Sequence, residues 1–394
     1  MRIGGENRAS SGDTFRLIVL AVVVVVVAAG GAFAVAATGG SGTTPAPKPL
    51  AQAIHDALAG QKPAGITANI GFTNTLFPSG ALVGQAGSPL MSSATGRLWV
   101  NANGGRLELQ SDAGDAQIVW SKTKVTVYDA TSNTAYTADL PQDTGTAATD
   151  PASASAVPTI DEITKFLTEL GKNWTVSGAD PSNTGGQESY TVKISPSHDG
   201  GLLGSAQLAF DALRGVPLKV AIYAQGATSP VLALEATNVS YGDVPDSDVQ
   251  VSPPAGAKIV DLSSQAQGGT NGSSTPPVTG LDAVTQAAPF PVVVPDTLVG
   301  LPRQDVRLVG GKTVIAVYGQ GLGAIVVVER AKDAAAAQSS PLGALPQVTI
   351  DGATGHELAT QLGTVLTWDR SGVSYVLAGS LPPAAAEAAA RSLK

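Results

Sequence analysis

The feature that most constrains this chain is a long series of short segments, from Ile66 to Tyr241, in which apolar and polar residues alternate. The run from Arg97 to Asn101 (RLWVN) is one example, and the turn residues Asn103 to Gly105 (NGG) follow it. Alternation with a period of two is typical of a half-buried β-strand, and Gly-rich pairs between two such runs are typical of hairpins. The sequence therefore predicts an antiparallel meander.

A sheet with ten or more such strands must curl, because the twist between neighbouring strands accumulates. Alternation shows that each strand has two faces, but it does not show which face lines a cavity and which packs on helices. The other strands predicted in this series are Arg106 to Ser111, Ala116 to Trp120, Lys124 to Asp129, Thr134 to Leu140, Ser189 to Ile194, Ser205 to Asp211, Val216 to Tyr223 and Val231 to Tyr241.

Two amphipathic helices interrupt the strands. Apolar residues recur at helical spacing from Leu50 to Leu58, and Gly60 follows them. Thr159 and Glu162 have the spacing of a capping box, and a second apolar stripe begins there. Both helices are available to fill the hollow side of a curled sheet. The sequence predicts a mainly β domain with some α-helix: an unclosed antiparallel half-barrel capped by helices.

An apolar segment precedes this domain, from Phe15 to Ala37, with Arg16 as its only charge. About 20 helical residues span the hydrocarbon core of a bilayer, so we expect a single transmembrane anchor. Arg2 and Arg8 lie before it, which favours a cytoplasmic N-terminus and an extracytoplasmic position for everything after Thr38.

A cleavable signal peptide is the competing interpretation, because Ala32 to Ala36 (AFAVA) contains two small-x-small patterns. The apolar stretch is longer than a usual signal-peptide core of about 7–15 residues, which favours the anchor. The chain is expected to be a single-pass protein of the cell membrane, or a secreted one after cleavage. In both cases its domains are exported.

Charge and composition exclude several classes of function. The net charge of -8 and the pI of about 4.9 repel phosphate backbones, so we expect no binding to nucleic acid. The chain has no cysteine, which excludes disulfides, thiolate nucleophiles, zinc-thiolate sites and the lipid-bearing cysteine of a bacterial lipoprotein.

Part of the strand series resembles lipoprotein carriers of the LolA type. The resemblance rests on Gly96 to Leu109, on the strand from Val125 to Asp129 and on the Pro-rich ending from Val249 to Val260, and it covers about Leu50 to Leu262. In that family an unclosed barrel shelters acyl chains, and an arginine near the early strands helps a lid to close. The position that matches this arginine is Arg106.

The resemblance implies that apolar strand residues line a lipid-binding cavity together with the matching arginine and one helical phenylalanine. The candidate ligand-binding residues are Leu98, Val100, Arg106, Leu107, Leu109, Ile118, Trp120, Val125, Val127, Phe166, Leu208, Phe210, Val220 and Ile222.

A second domain is expected after a Gly/Ser/Gln/Thr-rich linker. It is predicted to be a small α+β module that ends in an Ala-rich helix from Pro382. Its predicted strands are Phe290 to Val294, Asp305 to Val309, Lys312 to Tyr318, Ala324 to Arg330, Val348 to Ile350, Gly355 to Leu366 and Ser374 to Ala378.

Three segments of this second domain, Val294 to Asp296, Val314 to Tyr318 and Val373 to Leu377, resemble together with Trp368 a small domain of sporulation and anti-sigma-linked envelope proteins. A LolA-like domain followed by a smaller one is also similar in architecture to the RseB/MucB regulators. Those regulators bind an anti-sigma factor and respond to mislocalised lipoproteins or glycolipids.

No metal site is expected, because His55, His198 and His356 lie far apart and lack carboxylates at ligand spacing. Asp243, Asp246 and Asp248 could meet a calcium ion, but Val244-Pro245 lies between them and no glycine stands at the offset that a calcium loop requires, so solvated turn carboxylates are the default interpretation.

Glycines at positions 319, 321 and 323 fall between two predicted strands. A nucleotide-binding loop needs a helix N-terminus directly after it to receive the phosphate, and none is predicted at this point. These glycines therefore predict a hairpin turn, and no cofactor is expected.

The predicted organisation is a cytoplasmic stub and anchor (residues 1–38), a linker (39–49), the LolA-like domain (50–262), a second linker (263–280) and the α+β domain (281–394). The leading hypothesis is a non-catalytic, membrane-tethered carrier or sensor of lipid or lipoprotein acyl chains. The alternative is an RseB-like regulator that binds an anti-sigma factor or another envelope protein. An enzyme is not expected, because no nucleophile, base and orienting group assemble from the sequence.

Overall fold

A computed structural model describes most of the chain beyond the N-terminal segment. The predicted anchor, residues 15–37, lies outside the described residues, as does most of the predicted linker at 263–280. Within the described ranges no helix is long and apolar enough to cross a membrane. The described residues are 43–76, 89–140, 157–172, 174–197, 201–263, 277–320, 323–332 and 345–394.

These residues divide into two compact units, a first unit within residues 43–263 and a second unit within residues 277–394. The first unit's helices are α1 (Leu50–Ala59), α2 (Ile160–Leu170) and α3 (Asp246–Val249). Its strands are β1 (Gly65–Asn74), β2 (Ala94–Asn101), β3 (Gly104–Ser111), β4 (Gly114–Ser121), β5 (Lys124–Asp129), β6 (Thr134–Asp139), β7 (Trp174–Val176), β8 (Asp180–Thr184), β9 (Gln187–Pro196), β10 (Leu203–Asp211), β11 (Pro217–Ala224), β12 (Leu232–Tyr241) and β13 (Lys258–Asp261).

The strands of the first unit form a single sheet of 13 strands among the described residues. Their order is β13-β6-β5-β4-β3-β2-β1-β12-β11-β10-β9-β7, with β8 also paired to β9. All pairs are antiparallel except β13 with β6. The two ends of this order, β13 and β7, do not pair within the described residues, so the sheet is open. The prediction of a mainly β, unclosed antiparallel sheet is confirmed.

The two faces of this sheet differ in chemistry. Residues that pair across neighbouring antiparallel strands share a face, and successive residues of a strand alternate between faces. Leu98 pairs with Leu107, Leu107 with Ile118 and Ile118 with Val127. We call the face that carries these side chains the apolar face. The opposite one, which carries Arg97 and Trp99, is the polar face.

Helix α1 covers one part of the apolar face. Its buried Ala53 and Ala57 belong to a core cluster with Tyr190, Val192 and Phe210 of β9 and β10. Alanine lets the helix backbone approach the sheet closely, which is why the short helix can seal this region. Helix α2 in turn contacts α1 and β7.

The predicted capping box at the start of α2 is confirmed. The Thr159 hydroxyl accepts the N–H of Glu162 at 3.3 Å, and the Glu162 carboxylate accepts the N–H of Thr159 at 2.8 Å. The carboxylate also accepts the Thr159 hydroxyl at 2.9 Å, and the two bonds that it accepts lower the pKa of Glu162 because they favour its charged form. The box satisfies N–H groups that a helix start otherwise leaves without partners.

A Thr159→Ala variant is expected to weaken α2 by about 1 kcal/mol, since the cap hydroxyl is lost. Amide hydrogen exchange in the segment 160–170 should become about fivefold faster, as mass spectrometry of its peptides will show. Thr168→Ala is the matched control, because Thr168 lies exposed inside the same helix. Equal acceleration in both variants would contradict a capping role for Thr159.

The second unit consists of β14 (Val278–Thr279), α4 (Leu281–Ala287), β15 (Thr297–Leu298), β16 (Leu301–Val309), β17 (Thr313–Tyr318), β18 (Ile325–Ala331), β19 (Gln347–Ile350), β20 (Ala353–Thr360), β21 (Gly363–Arg370), β22 (Val373–Gly379) and α5 (Pro383–Ser392). Among its described residues these strands form a sheet of nine, in the order β14-β16-β17-β18-β22-β21-β20-β19, with β15 beside β16. Helix α5 packs on this sheet through the fully buried Ala386, Ala389 and Ala390.

Two of the predicted strands in this unit are wrong. Phe290 to Val294 is not a strand, because Pro289, Pro291 and Pro295 remove N–H groups that a sheet ladder needs. Gly355 to Leu366 belongs to two strands, β20 and β21, which a turn at residues 361 and 362 separates. The pattern at that turn, Gln-Leu, lacks the glycine or asparagine that usually marks one.

Candidate binding surfaces of the first unit

The twelve apolar strand residues predicted to line a cavity all lie on the apolar face. Those on β2 to β5 are joined by pairs such as Gly105 with Trp120 and Trp120 with Val125. Those on β10 and β11 are joined by Leu208 with Val220. Sequence alternation therefore selects one face consistently across strands that are far apart in the chain.

The part of this face on β2 to β5 is largely filled. Leu107, Leu109, Ile118 and Val127 are at most 2% exposed. A short 3-10 turn, Pro89–Met91, contacts β3 and β4, and its Leu90 is fully buried. Leu90 is held there by its carbonyl, which accepts the side-chain amide of Asn74 at 2.8 Å. These residues act as core.

The middle of the apolar face is different, because its side chains are incompletely buried. Leu208 is 38% exposed, and its partner Val220 is half-buried, as is Leu234, the next residue in the same row. At the two ends of this row, Val192 and Phe72 are buried. We call Leu208, Val220 and Leu234, with the adjacent Ile222 and Leu232, the central apolar strip.

Two of the fourteen candidates lie elsewhere. Arg106 pairs with Trp99 and projects from the polar face, so it does not line the apolar face. Its guanidinium carbon lies 4.2 Å from the centroid of the Trp99 ring, and its Nη2 lies 3.2 Å from the Glu108 carboxylate. Phe166 lies on α2 with 65% of its surface exposed, while Ile163 of the same helix is buried.

Sequence reasoning missed a cleft of about 280 Å³ on the polar face. Leu98 is the only one of the fourteen candidates that borders it. The polar-face side chains that line it come from three neighbouring strands, β2, β1 and β12, and they form two rows. They are Trp99, Thr67 and Ser240 in one row and Arg97, Asn69 and Asn238 in the other.

The charged groups around this cleft are distributed unevenly. The Arg97 side chain is exposed and forms no ion pair or hydrogen bond with any described residue. Glu108, which pairs with Arg97 across the strands, is engaged by Arg106 and by the side-chain amide of Gln117 at 3.1 Å. Among the described residues, the lining therefore contains one cation without an ion-pair partner, Arg97, and no carboxylate.

The aspartates and histidines considered from the sequence as metal ligands do not form a metal site among the described residues. Asp246 accepts the side-chain amides of Asn101 and Asn103, both at 2.9 Å, and so fastens α3 to the β2–β3 hairpin. His55 lies on α1 and His356 on β20, while His198 is outside the described residues. Within the part of the chain that the structure describes, no group of three or more His, Asp or Glu is placed to hold a metal ion.

Together these features define a class: a mainly β chain of two units, whose first unit is an open antiparallel sheet with one apolar and one polar face. No protein-family model and no curated protein matches the sequence. Among solved structures, the MucA/MucB complex of Pseudomonas aeruginosa aligns with a TM-score of 0.40 and 14% identity, over 86% of this chain and 94% of that one. MucB in complex with MucA(peri) aligns with a TM-score of 0.40 and 12% identity, over 88% and 96%.

A LolA superfamily protein from Nitrosomonas europaea aligns with a TM-score of 0.23 and 8% identity, over 52% of this chain and 98% of that one. These are the families that the sequence resemblance indicated. Because every one of these TM-scores lies below 0.5, the alignments record a similarity on which no functional argument depends.

Proposed function

We propose that this chain is a non-catalytic envelope protein that shelters the acyl chains of lipids or lipoproteins on the apolar face of its first unit. The observation that carries the proposal is the central apolar strip. In the middle of the sheet it exposes Leu208 and leaves the neighbouring aliphatic side chains half-buried, whereas Val192 and Phe72, at the two ends of the Leu208 row, are buried. Exposed aliphatic surface of this kind commonly marks a binding groove.

Acyl chains fit this surface for a simple energetic reason. Each buried methylene gains about 0.8 kcal/mol, so a hydrocarbon chain needs no polar partner to bind. The sheet is open, and a long chain can therefore enter from the side rather than through a closed cavity. The apolar segment from Phe15 to Ala37 would hold the protein in the cytoplasmic membrane, with both units on the extracytoplasmic side.

The direct test is native mass spectrometry of the chain without residues 1–42, purified from a bacterial host without detergent. We expect a bound lipid or acylated peptide, and organic extraction will identify it. An apo mass that stays unchanged after incubation with lipid vesicles would contradict the proposal.

A Leu208→Glu variant should weaken acyl-chain binding at least about tenfold, because the carboxylate must lose its hydration when a chain covers it. Leu213→Glu is the matched control. Leu213 is 61% exposed in the turn after β10, outside the central apolar strip, and its variant should bind like the unchanged chain. Titration with a fluorescent fatty acid gives both affinities, and equal values for the two variants would argue against the strip.

The alternative function is a regulator that binds an anti-sigma factor or another envelope protein. The exposed Phe166 favours it, because large aromatic side chains are enriched among the residues that dominate protein interfaces. A photo-crosslinking amino acid at position 166 separates the two functions in cells. A lipid adduct supports the carrier, whereas a crosslink to one defined membrane protein, weakened by added lipid, supports the regulator.

A further inference from the structure

The side chains that line the cleft on the polar face are positioned by the pairing of three neighbouring strands. Trp99 pairs with Thr67 and Thr67 with Ser240, while Arg97 pairs with Asn69 and Asn69 with Asn238. Side chains directly opposite each other on antiparallel strands have Cβ atoms about 4.5–5.5 Å apart. Six polar or aromatic groups are therefore held side by side by the sheet itself.

A β-bulge shapes this floor. The register between β1 and β12 shifts between Asn69 and Ile70, which leaves Thr237 as an extra residue on β12. The Thr237 hydroxyl lies 3.4 Å from the Asn69 carbonyl, to which it donates. Bulges bend a strand and re-aim its side chains, and they are frequent beside binding sites. The bulge separates Asn238, which lines the cleft, from Leu232, Leu234 and Ala236, which precede it on β12.

The indole of Trp99 forms one wall of the cleft. Arg106, which pairs with Trp99 from the neighbouring strand β3, has its guanidinium carbon 4.2 Å from the centroid of the indole ring. The ion pair of Arg106 with Glu108 holds the guanidinium in place. The indole is thereby held by a charged neighbour, and it is also part of the cleft lining.

The chemistry of the lining selects a ligand. Asn69, Asn238, Thr67 and Ser240 each offer both a donor and an acceptor, which matches hydroxyl groups. The indole of Trp99 offers an apolar surface for C–H groups. Arg97 is the unpaired cation, and a guanidinium binds a carboxylate through two parallel hydrogen bonds. A volume of about 280 Å³ suits one small ring.

We propose that this cleft binds a sugar acid: a single pyranose ring that carries a carboxylate, either free or as one residue of a glycan chain. Arg97 binds the carboxylate, the two asparagines and two hydroxyls bind the ring hydroxyls, and Trp99 packs on the ring. The site is on the opposite face of the sheet from the central apolar strip, so it does not depend on the acyl-chain proposal.

The test uses the full chain, labelled with ¹⁵N-tryptophan, in a detergent without a sugar head group. Its four tryptophans give four indole N–H signals, and a Trp99→Phe variant assigns the one in the cleft. Glucuronate should shift the Trp99 signal in a saturable way, and glucose should bind at least about tenfold more weakly because it lacks the carboxylate. A glucuronate-containing tetrasaccharide distinguishes the sources: tighter binding than the monomer indicates a glycan chain, and equal or weaker binding indicates the free acid.

Two variants distinguish specific binding of the glucuronate carboxylate by Arg97 from nonspecific attraction of an anion to a positively charged surface. Arg97→Met should weaken glucuronate at least about tenfold and leave glucose within about twofold. Lys193→Met removes one positive charge from the same polar face on β9, far along the strand order from the cleft, and should leave glucuronate binding unchanged. The proposal is overturned if glucuronate at concentrations up to about 50 mM does not shift the Trp99 signal. It is also overturned if both variants weaken glucuronate binding equally, or if inorganic phosphate binds as tightly as glucuronate.

Discussion

An Asp211→Ala variant is expected to lower the free energy of unfolding of the first unit by about 3–5 kcal/mol. Asp211 is 2% exposed, and the Arg214 side chain that faces it is 7–8% exposed. Removal of the carboxylate would leave the guanidinium buried without its counter-charge, and an uncompensated buried charge is among the most destabilising defects in a protein.

The geometry around Asp211 explains this expectation. One carboxylate oxygen accepts the N–H groups of Leu213 at 2.8 Å and of Arg214 at 2.7 Å. The other accepts the Tyr241 hydroxyl at 2.6 Å and lies 3.4 Å from Nη1 of Arg214. Burial, and then the Asp211 charge, raise the pKa of Tyr241 well above its usual value, so its hydroxyl remains a donor.

This cluster connects three parts of the first unit. The guanidinium of Arg214 lies 4.4 Å from the centroid of the Tyr241 ring on β12. The Arg214 carbonyl accepts the Lys62 ammonium at 2.6 Å, and the same ammonium reaches the Ala57 carbonyl at the end of α1 at 3.1 Å. Burial lowers the pKa of Lys62. The β10–β11 turn, β12 and the end of α1 should therefore loosen together.

Urea unfolding with peptide-resolved hydrogen exchange measures the effect in the first unit separately from the second. Tyr241→Phe should cost only about 1 kcal/mol, because it removes one hydrogen bond and leaves the ion pair intact. Asp243→Ala removes an exposed carboxylate just after Tyr241 in the chain and should change stability by less than about 0.5 kcal/mol. A loss below about 1 kcal/mol for Asp211→Ala would show that the buried ion pair contributes little.

A Glu329→Gln variant is expected to stabilise the second unit at pH 8 by up to about 3 kcal/mol and to raise its melting temperature by at least about 5 °C. Glu329 is fully buried on β18. One of its carboxylate oxygens accepts the Val293 N–H at 3.0 Å, and the other has no hydrogen-bond partner among the described residues. Burial raises the pKa of Glu329 to about 7.

The direction of the pH dependence follows from this raised pKa. In the unfolded chain Glu329 ionises near its ordinary pKa of 4.5, whereas in the folded unit it keeps its proton up to about pH 7. Between these values the folded state binds more protons than the unfolded state. The stability of the second unit should therefore fall as the pH rises from about 4.5 to about 7 and change little, through this group, above that range.

Glutamine mimics the protonated carboxyl and cannot ionise. At pH 4 the variant and the unchanged chain should be equally stable, and the difference should appear only as the pH rises. Thermal unfolding at pH 4, 6 and 8, followed by hydrogen exchange in individual peptides, measures this stability difference in the second unit. The peptides of the first unit serve as the internal control. A constant difference at all three pH values would mean that packing, and not ionisation, separates the two side chains.

Strand alternation also predicts on which face of its sheet each of two charged side chains, Arg106 and Glu329, lies. Arg106 precedes Leu107 in a strand, so alternation alone places it on the face opposite to Leu107, away from an apolar cavity. Glu329 is in phase with Ile325 and Val327, and the same rule places it among buried side chains. In both cases strict application of the period-two rule would have predicted what the structure shows.

The sequence pattern correctly predicted those features that depend on interactions between residues close together in the chain. The strands of the first unit, the selection of one apolar face and the capping box at Thr159 follow from backbone geometry and from hydrogen bonds within a few residues. Local pattern failed at Phe290 to Val294, where apolar composition suggested a strand although the surrounding prolines lack the donors that a sheet needs.

The sequence by itself determined the fold class, the alternation of the two faces and the absence of thiol chemistry, because each depends on residue type and on spacing along the chain. Only the tertiary structure decided which strands are neighbours. The pairing of β1 with β12 joins residues roughly 160–175 positions apart, such as Ile66 and Tyr241, and it completes the two rows of the polar cleft. No local signal encodes such a pairing, since it depends on loop closure and on the packing of the whole sheet.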